Sequence, residues 1–188
     1  RTDEIGALTN LGLSFLVVER TQQAIELFQE SLQLARQAKD RISEAGALVN
    51  IAKAYLGQGK NAEALPLLQQ ALPIFEAAGH LSGVGATLCG MGVAETNLDD
   101  LERAVEHFEQ YLKLARQIQD LEAQGTAIGN LGLIHYKRGE YKQAVQRFRE
   151  QYEIAEKMQD AYTAGLTLGN LSAVYYRIGR YEKMIQIC

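Results

Sequence analysis

The sequence predicts an all-α chain built as a stack of five helix pairs, and three observations carry that reading. Shifted by 40 residues, the chain aligns with itself almost without gaps. Inside each unit the apolar and small residues recur at helical spacing rather than in the alternation of a strand. Glycine-containing breakers separate the helical stretches, and only two prolines occur in the whole chain, leaving long windows free for helix. A unit that cannot bury its apolar surface alone must stack on its neighbours, which is how repeat arrays are built.

The first helix of each unit carries the clearest repetition. Ala7-Leu8-Thr9-Asn10-Leu11-Gly12 returns as Ala47-Leu48-Val49-Asn50-Ile51-Ala52, as Ala127-Ile128-Gly129-Asn130-Leu131-Gly132 and as Thr167-Leu168-Gly169-Asn170-Leu171-Ser172. The third copy, Thr87-Leu88-Cys89-Gly90-Met91-Gly92, is the loosest. Leu8, Leu11, Gly12 and Phe15 stand at i, i+3, i+4 and i+7, and Ile128, Leu131, Gly132 and His135 repeat the row. The second helix repeats Ala24, Phe28, Leu32 and Ala35; Ala104 with Phe108 and Ala144 with Phe148 are its later copies. Gly57-Gln58-Gly59, Gly139-Glu140 and Gly179-Arg180 break the two helices of a pair, because glycine accepts the positive φ that ends a helix. Lys39-Asp40, Gln119-Asp120 and Gln159-Asp160 mark the turns between units.

These signals place helices over 2–17, 22–38, 42–57, 62–78, 82–97, 101–118, 122–137, 142–158, 162–177 and 181–188. The chain is accordingly read as a single array, 1–188, of four full repeats (1–40, 41–80, 81–120, 121–160) and a truncated one, 161–188. The columns Gly12/Ala52/Gly92/Gly132/Ser172 and Ala24/Ala64/Ala104/Ala144 are small, which lets neighbouring axes approach towards the short end of the roughly 8–10 Å range. Two positions break the pattern. Pro66 and Pro73 each remove a helical N–H, so a bend in helix 62–78 is expected. In the third unit Gly90 replaces asparagine, Glu95 occupies the aromatic column and Asn97-Leu98-Asp99-Asp100 replaces the glycine turn. A carboxylate between packed helices is costly unless paired. His107 and His135 are candidate partners, and the favoured expectation is a locally shifted helix that exposes Glu95.

Composition narrows the function classes. Hydrophobic residues make up 47% and charged residues 22%, an ordinary globular balance. A net charge of −4 argues against a nucleic-acid footprint. No apolar run approaches the roughly 20 residues of a membrane span. Cys89 and Cys188 lack CxxC or Cys/His spacing, which suits a reducing, cytoplasmic setting and gives no disulfide framework. His80, His107 and His135 are scattered, with no HExxH and no phosphate-binding glycine loop. Cys89 without a nearby base reads as a packing residue. The expectation is a non-enzyme without cofactor or metal.

The bulky residue, Leu-Gly, aromatic, Gly-x-Tyr, Ala and Phe columns resemble the tetratricopeptide repeat family. The fourth unit shows them best, with Ile128, Leu131-Gly132, Tyr136, Gly139-Glu140-Tyr141, Ala144 and Phe148. A period of 40 exceeds the usual value of about 34 and resembles the repeats of Pins/LGN-type polarity adaptors and bacterial signalling arrays. The resemblance implies a right-handed α-solenoid of antiparallel helix pairs, a superhelix whose first helices line a concave groove for extended peptides or partner helices. It also implies a protein- or peptide-binding scaffold.

The resemblance turns Asn10, Asn50, Asn130 and Asn170 towards the groove. A carboxamide offers a donor and an acceptor, so a row of them can track a peptide backbone; equally, these asparagines can bond neighbouring helices and fix the stack. Lys53, Lys137 and Arg177 fall near the same side, with Tyr136 and Tyr176 beside the last two. Cations among aromatics suit an acidic segment or a terminal carboxylate, although cations near helix C-termini are also favoured simply by the helix dipole. Two other classes stay open. One is self-association through a C-terminal end that would expose Met184, Ile185 and Ile187, giving a homo-oligomer. The other is a sensor arm of a larger signalling regulator.

Overall fold

A computed structural model describes residues 2–183. Among these the protein forms α1 (Thr2–Val17), α2 (Thr21–Ala38), α3 (Arg41–Gly57), α4 (Asn61–Ala77), α5 (Leu81–Asn97), α6 (Leu101–Gln117), α7 (Leu121–Lys137), α8 (Tyr141–Met158) and α9 (Ala161–Arg177), with no strand among the described residues. Residues 181–183 begin a further helical turn. Each expected boundary from α1 to α9 lies within one residue of the observed one. The remainder of the expected tenth helix, with Met184, Ile185 and Ile187, lies outside the described residues.

The helices stop by a common backbone device. Glu19, Lys39, Asp99, Gln119 and Gln159 take positive φ of 56–64°, and Gly59, Gly79, Gly139 and Gly179 take 64–73° at the equivalent places. The residue after each of these donates its N–H five residues back, as from Asp40 to Ala35 O (2.9 Å), Glu140 to His135 O (2.9 Å) and Asp160 to Ala155 O (2.9 Å). This left-handed closure satisfies carbonyls that the helix end would otherwise leave bare. In the turns between units the same residue also opens the next helix. The carboxylates of Asp40, Asp120 and Asp160 accept from the backbone N–H of Ser43, Ala123 and Thr163 at 3.0–3.1 Å, and His80 Nδ1 does so from Gly83 (3.1 Å). The polar pair read from the sequence as a turn marker is therefore a helix stop followed by a helix cap.

Two glycines of the small column leave room for aromatic rings. A Cβ on Gly12 would lie 2.5 Å from the Phe28 ring, and one on Gly132 would lie 2.7 Å from the Phe148 ring. Each ring thus lies directly on the backbone of the preceding helix, in the cleft that glycine leaves. Phe28, Phe108 and Phe148 are fully buried, each worth about 1.5–3 kcal/mol relative to exposure.

The chain divides into two compact units, Arg1–Asp100 and Leu101–Cys188. In the first, Ala45, Leu48, Ala52, Ala64, Leu68, Phe75 and Met91 form the core between α3, α4 and α5, and Ala24 and Phe28 pack on Ile51. Glu44 is held by Arg36 (3.0 Å) and Arg41 (2.5 Å), tying the end of α2 to α3. In the second, Ala144 and Phe148 pack on Leu171, Val174 and Tyr175. Arg147–Glu109 (2.7 Å) and Arg116–Glu150 (2.9 Å) bridge α6 and α8 there.

The irregular third repeat corrects one expectation. Glu95 is 1% exposed, and α5 keeps the span of its counterparts, so the helix is not shifted to release the carboxylate. The register is held by Thr87, Leu88, Met91 and Ala94, all buried on α5, and their packing outweighs the penalty on one acidic side chain. His135 bonds Glu140 Oε2 at 2.6 Å within its own hairpin. Helix α4 runs without interruption through both Pro66 and Pro73.

Candidate functional site

The site is built on α7 and α9 of the second unit, because in a helix residues at i−4, i+3 and i+7 share a stripe. On α7 this stripe holds Thr126, Asn130, Leu133 and Lys137; on α9 it holds Leu166, Asn170 and Arg177. Asn130 and Asn170 line one depression of about 740 Å³, whose walls also include Leu121, Leu133, Ile154, Leu166 and Gln151. That volume falls in the range of pockets that hold small ligands or side chains of a partner. Asn130 Nδ2 donates to Thr126 O (2.8 Å), leaving its Oδ1 as the acceptor it can offer a ligand.

The floor depends on a glycine. A Cβ on Gly129 would collide with the carboxamide of Gln151, so Gly129 is what admits that side chain from α8 against α7. The single hydroxyl hydrogen of Thr167 on α9 is shared between Thr163 O (2.8 Å) and Gln151 Oε1 (3.1 Å). Gln151 thus reaches from α8 across the face of Gly129 on α7 to Thr167 on α9. Leu121, Leu133 and Leu166 are 40–54% exposed on the walls, an apolar surface interleaved with amides.

The electrostatics run from one end of the helices to the other. Glu122 and Asp160 stand at the N-terminal end, and no Lys, Arg or His is among the residues lining the depression. The hydroxyl and backbone N–H of Thr163 hold the Asp160 carboxyl below the usual carboxylate range. Near the C-terminal end, Arg177 Nε donates to Tyr136 Oη (3.2 Å). That phenol, with Tyr141 and Tyr176 nearby, pushes the guanidinium's pKa further up. Tyr136 meets Tyr141 at 5.9 Å between centroids, and Tyr176 is 62% exposed.

The sequence-derived site residues divide accordingly. Asn130 and Asn170 come together in the depression, and Arg177 and Tyr136 come together in a hydrogen bond with Tyr176 close by. Lys137 is exposed on the α7 stripe. Asn10, Asn50 and Lys53 belong to the first unit: Asn10 is exposed on α1, Asn50 is half-buried on α3, and Lys53 is exposed near Cys89. Burial pushes the Cys89 thiol up, with Lys53 partly opposing, so the thiol is kept in its unreactive form. Sequence reasoning missed Thr126, Leu133, Leu166 and Gln151. The first three are one turn from an asparagine and were legible by extending its stripe; Gln151 was signalled only by the glycine opposite it. Among the described residues no group of three or more His, Cys, Asp or Glu could hold a metal ion, and no helix is long and apolar enough to cross a membrane.

Paired helices of constant length, stacked through glycine and alanine columns, define a helical-hairpin repeat protein. The tetratricopeptide repeat model matches residues 3–77, 83–157 and 124–187, and the chain belongs to the tetratricopeptide repeat family. None of the curated proteins compared with it matches. Among solved structures, BtubC (BKLC) from P. vanneervenii is similar at a TM-score of 0.85 and 19% identity, over 97% of this chain and 78% of that one. A signal transduction ATPase with numerous domains and a tetratricopeptide repeat sensor, PH0952 from Pyrococcus horikoshii, gives 0.88 and 18%, over 99% of this chain and 28% of that one. The Rap conjugation gene regulator of plasmid pLS20, in complex with the Phr* peptide, gives 0.78 and 20%, over 96% and 50%. The chain thus spans about half the length of the Rap regulator and little more than a quarter of the ATPase. At these identities the likeness is one of fold.

Proposed function

We propose that this chain is a protein-interaction scaffold that holds a peptide segment of its partner along the first helices, with Asn130 and Asn170 gripping the segment's backbone. The observation that carries the reading is their placement in one depression whose walls alternate exposed leucines with amides. Leucines supply burial without demanding one side chain, and amides satisfy a backbone whatever its sequence. The complex of the Rap regulator with the Phr* peptide supports a peptide as the kind of partner. Asn10, Asn50 and Lys53 are the counterpart surface of the first unit in this reading, and the half-buried, unreactive Cys89 suits a cytoplasmic scaffold.

The test is a peptide array probed with the chain and with its Asn130→Ala/Asn170→Ala variant. Loss of array binding, with helicity by circular dichroism unchanged, is expected. Undiminished binding by the variant would sink the groove role and leave the asparagines as parts of the stack. A second reading, a sensor arm of a larger regulator, is favoured by the likeness to the repeat sensor of the signal transduction ATPase. It predicts that groove occupancy changes the activity of an attached effector domain.

A further inference from the structure

We infer that the joint between α4 and α5 is acid-sensitive: a second proton on the His80 ring releases the first turn of α5, while the other described caps between repeats stay closed. Those caps are the carboxylates of Asp40, Asp120 and Asp160, and His80 holds the equivalent place before α5. Its Nδ1 accepts from the backbone N–H of Gly83 at 3.1 Å, a first-turn donor that has no acceptor within its own helix. An imidazole nitrogen accepts only while it carries no proton, so the neutral ring here holds its proton on Nε2. The ring also stacks on Phe75, with 5.1 Å between centroids. A Cβ on Gly83 would lie 2.5 Å from the Phe75 ring and 2.7 Å from His80 Nδ1, so the two rings close together over the glycine.

A second proton turns Nδ1 into a donor facing a donor. It also sets a positive charge at the N-terminal end of α5, where the helix dipole opposes it. The first turn of α5 carries no acidic residue to offset that charge. The charged groups of the packed elements at this end are Glu76 in the last turn of α4 and, at the start of α3, Arg41 and Glu44, which pair with each other. Glu63, Lys53 and Glu95 lie at the opposite ends of α4, α3 and α5. Among the described residues the ring's own partners are Gly83 and Phe75. The stop of α4 is separate: the His80 N–H donates to Phe75 O (2.9 Å) after Gly79 at φ 64°, and no ring atom takes part. Protonation therefore undoes the cap and spares the stop. His135 shows the contrary case, since its Nδ1 faces the Glu140 carboxylate at 2.6 Å and the same proton strengthens that bond. Imidazoles ordinarily take up this proton near about pH 6.5, whereas aspartates stay ionised down to about pH 4. The cap on α5 is thus closed in neutral solution and opens as pH falls, in a range where the aspartate caps are unchanged.

The test is amide exchange of the 188-residue chain followed by NMR, with each rate compared with that of an unstructured chain at the same pH. Between about pH 7.5 and about pH 5.5, on either side of the ordinary imidazole range, protection of the Gly83 N–H is expected to fall about fivefold, the scale of losing one cap. The N–H of His80, held by the stop, should keep its protection, as should those of Ser43, Ala123 and Thr163, held by aspartates. His80→Asp places at this joint the residue that caps α3, α7 and α9, and it should keep Gly83 protected at both pH values. His80→Ala should leave Gly83 unprotected at both. Unchanged protection of Gly83 in the parent across this range would overturn the inference, as would a loss that recurs in His80→Asp or is shared by Ala123.

Discussion

Helices α5 and α7 occupy the same place in consecutive repeats and differ at the asparagine position and around it. Asn130 and Leu133 on α7 correspond to Gly90 and Val93 on α5, and His135 corresponds to the buried Glu95. The cap before α7 is Asp120, and before α5 it is His80; the left-handed residue after α7 is Gly139, and after α5 it is Asp99. Yet both helices run seventeen residues in the same register. Packing columns and backbone punctuation therefore specify the hairpin, while the residues around the asparagine position vary without disturbing it.

The comparison can be broken most forcefully at the packing columns. Phe148→Ala should cost about 3–5 kcal/mol in urea unfolding, as an aromatic ring is removed from a dry cleft. Glu95→Ala is expected to cost about 2–4 kcal/mol although it removes an acid, since the groups that satisfy this buried carboxylate lose their partner. A mild effect there would show that α5 tolerates its irregularity by relaxing rather than by pairing. Gly132→Ala should cost about 1–3 kcal/mol, because its Cβ meets the Phe148 ring, whereas Gly46→Ala, with open space around it, should stabilise by about 0.5–1 kcal/mol.

Smaller effects sharpen the punctuation. Asp120→Ala removes the cap of α7 and should cost about 1 kcal/mol. Asp99→Gly, relieving a left-handed aspartate at φ 64°, should stabilise by about 0.5–1 kcal/mol, and Gly139→Ala should destabilise by a like amount. The caps also carry a pH signature. Bonds from the backbone and hydroxyl of Ser43 hold the Asp40 carboxyl below its ordinary value. A folded-state pKa lower than the unfolded one gives stability that is complete above the ordinary carboxylate range, about pH 4, and is lost as pH falls through the lowered value. Acid titration of Asp40→Asn against the parent should show a shallower loss below that pH.

Much of this was legible from spacing alone. The 40-residue shift located the helices, and the glycine and alanine columns marked the close-packed face on which the rings of Phe28 and Phe148 meet Gly12 and Gly132. Three things were not legible, for physical reasons. Lys39, Gln119 and Gln159 take the left-handed turn although their side chains do not favour it, because the backbone closure and the following cap together outweigh the strain. The burial of Glu95 was set by its neighbours' register and not by its own polarity. The depression at Asn130 and Asn170 draws Gln151 from a different helix, so no single-helix pattern could assemble it.

The left-handed stops at Glu19, Lys39, Gly59, Gly79, Asp99, Gln119, Gly139, Gln159 and Gly179 fall at even intervals along the chain. A tandem duplication or deletion of one whole period at the gene level restores the same stop, the same cap and the same glycine-against-ring seam on either side of the join. A change of any other length inside a hairpin separates the glycine and the ring on either side of it. Such a chain can be lengthened or shortened in whole-repeat steps with its seams intact, whereas a small insertion inside a hairpin breaks one.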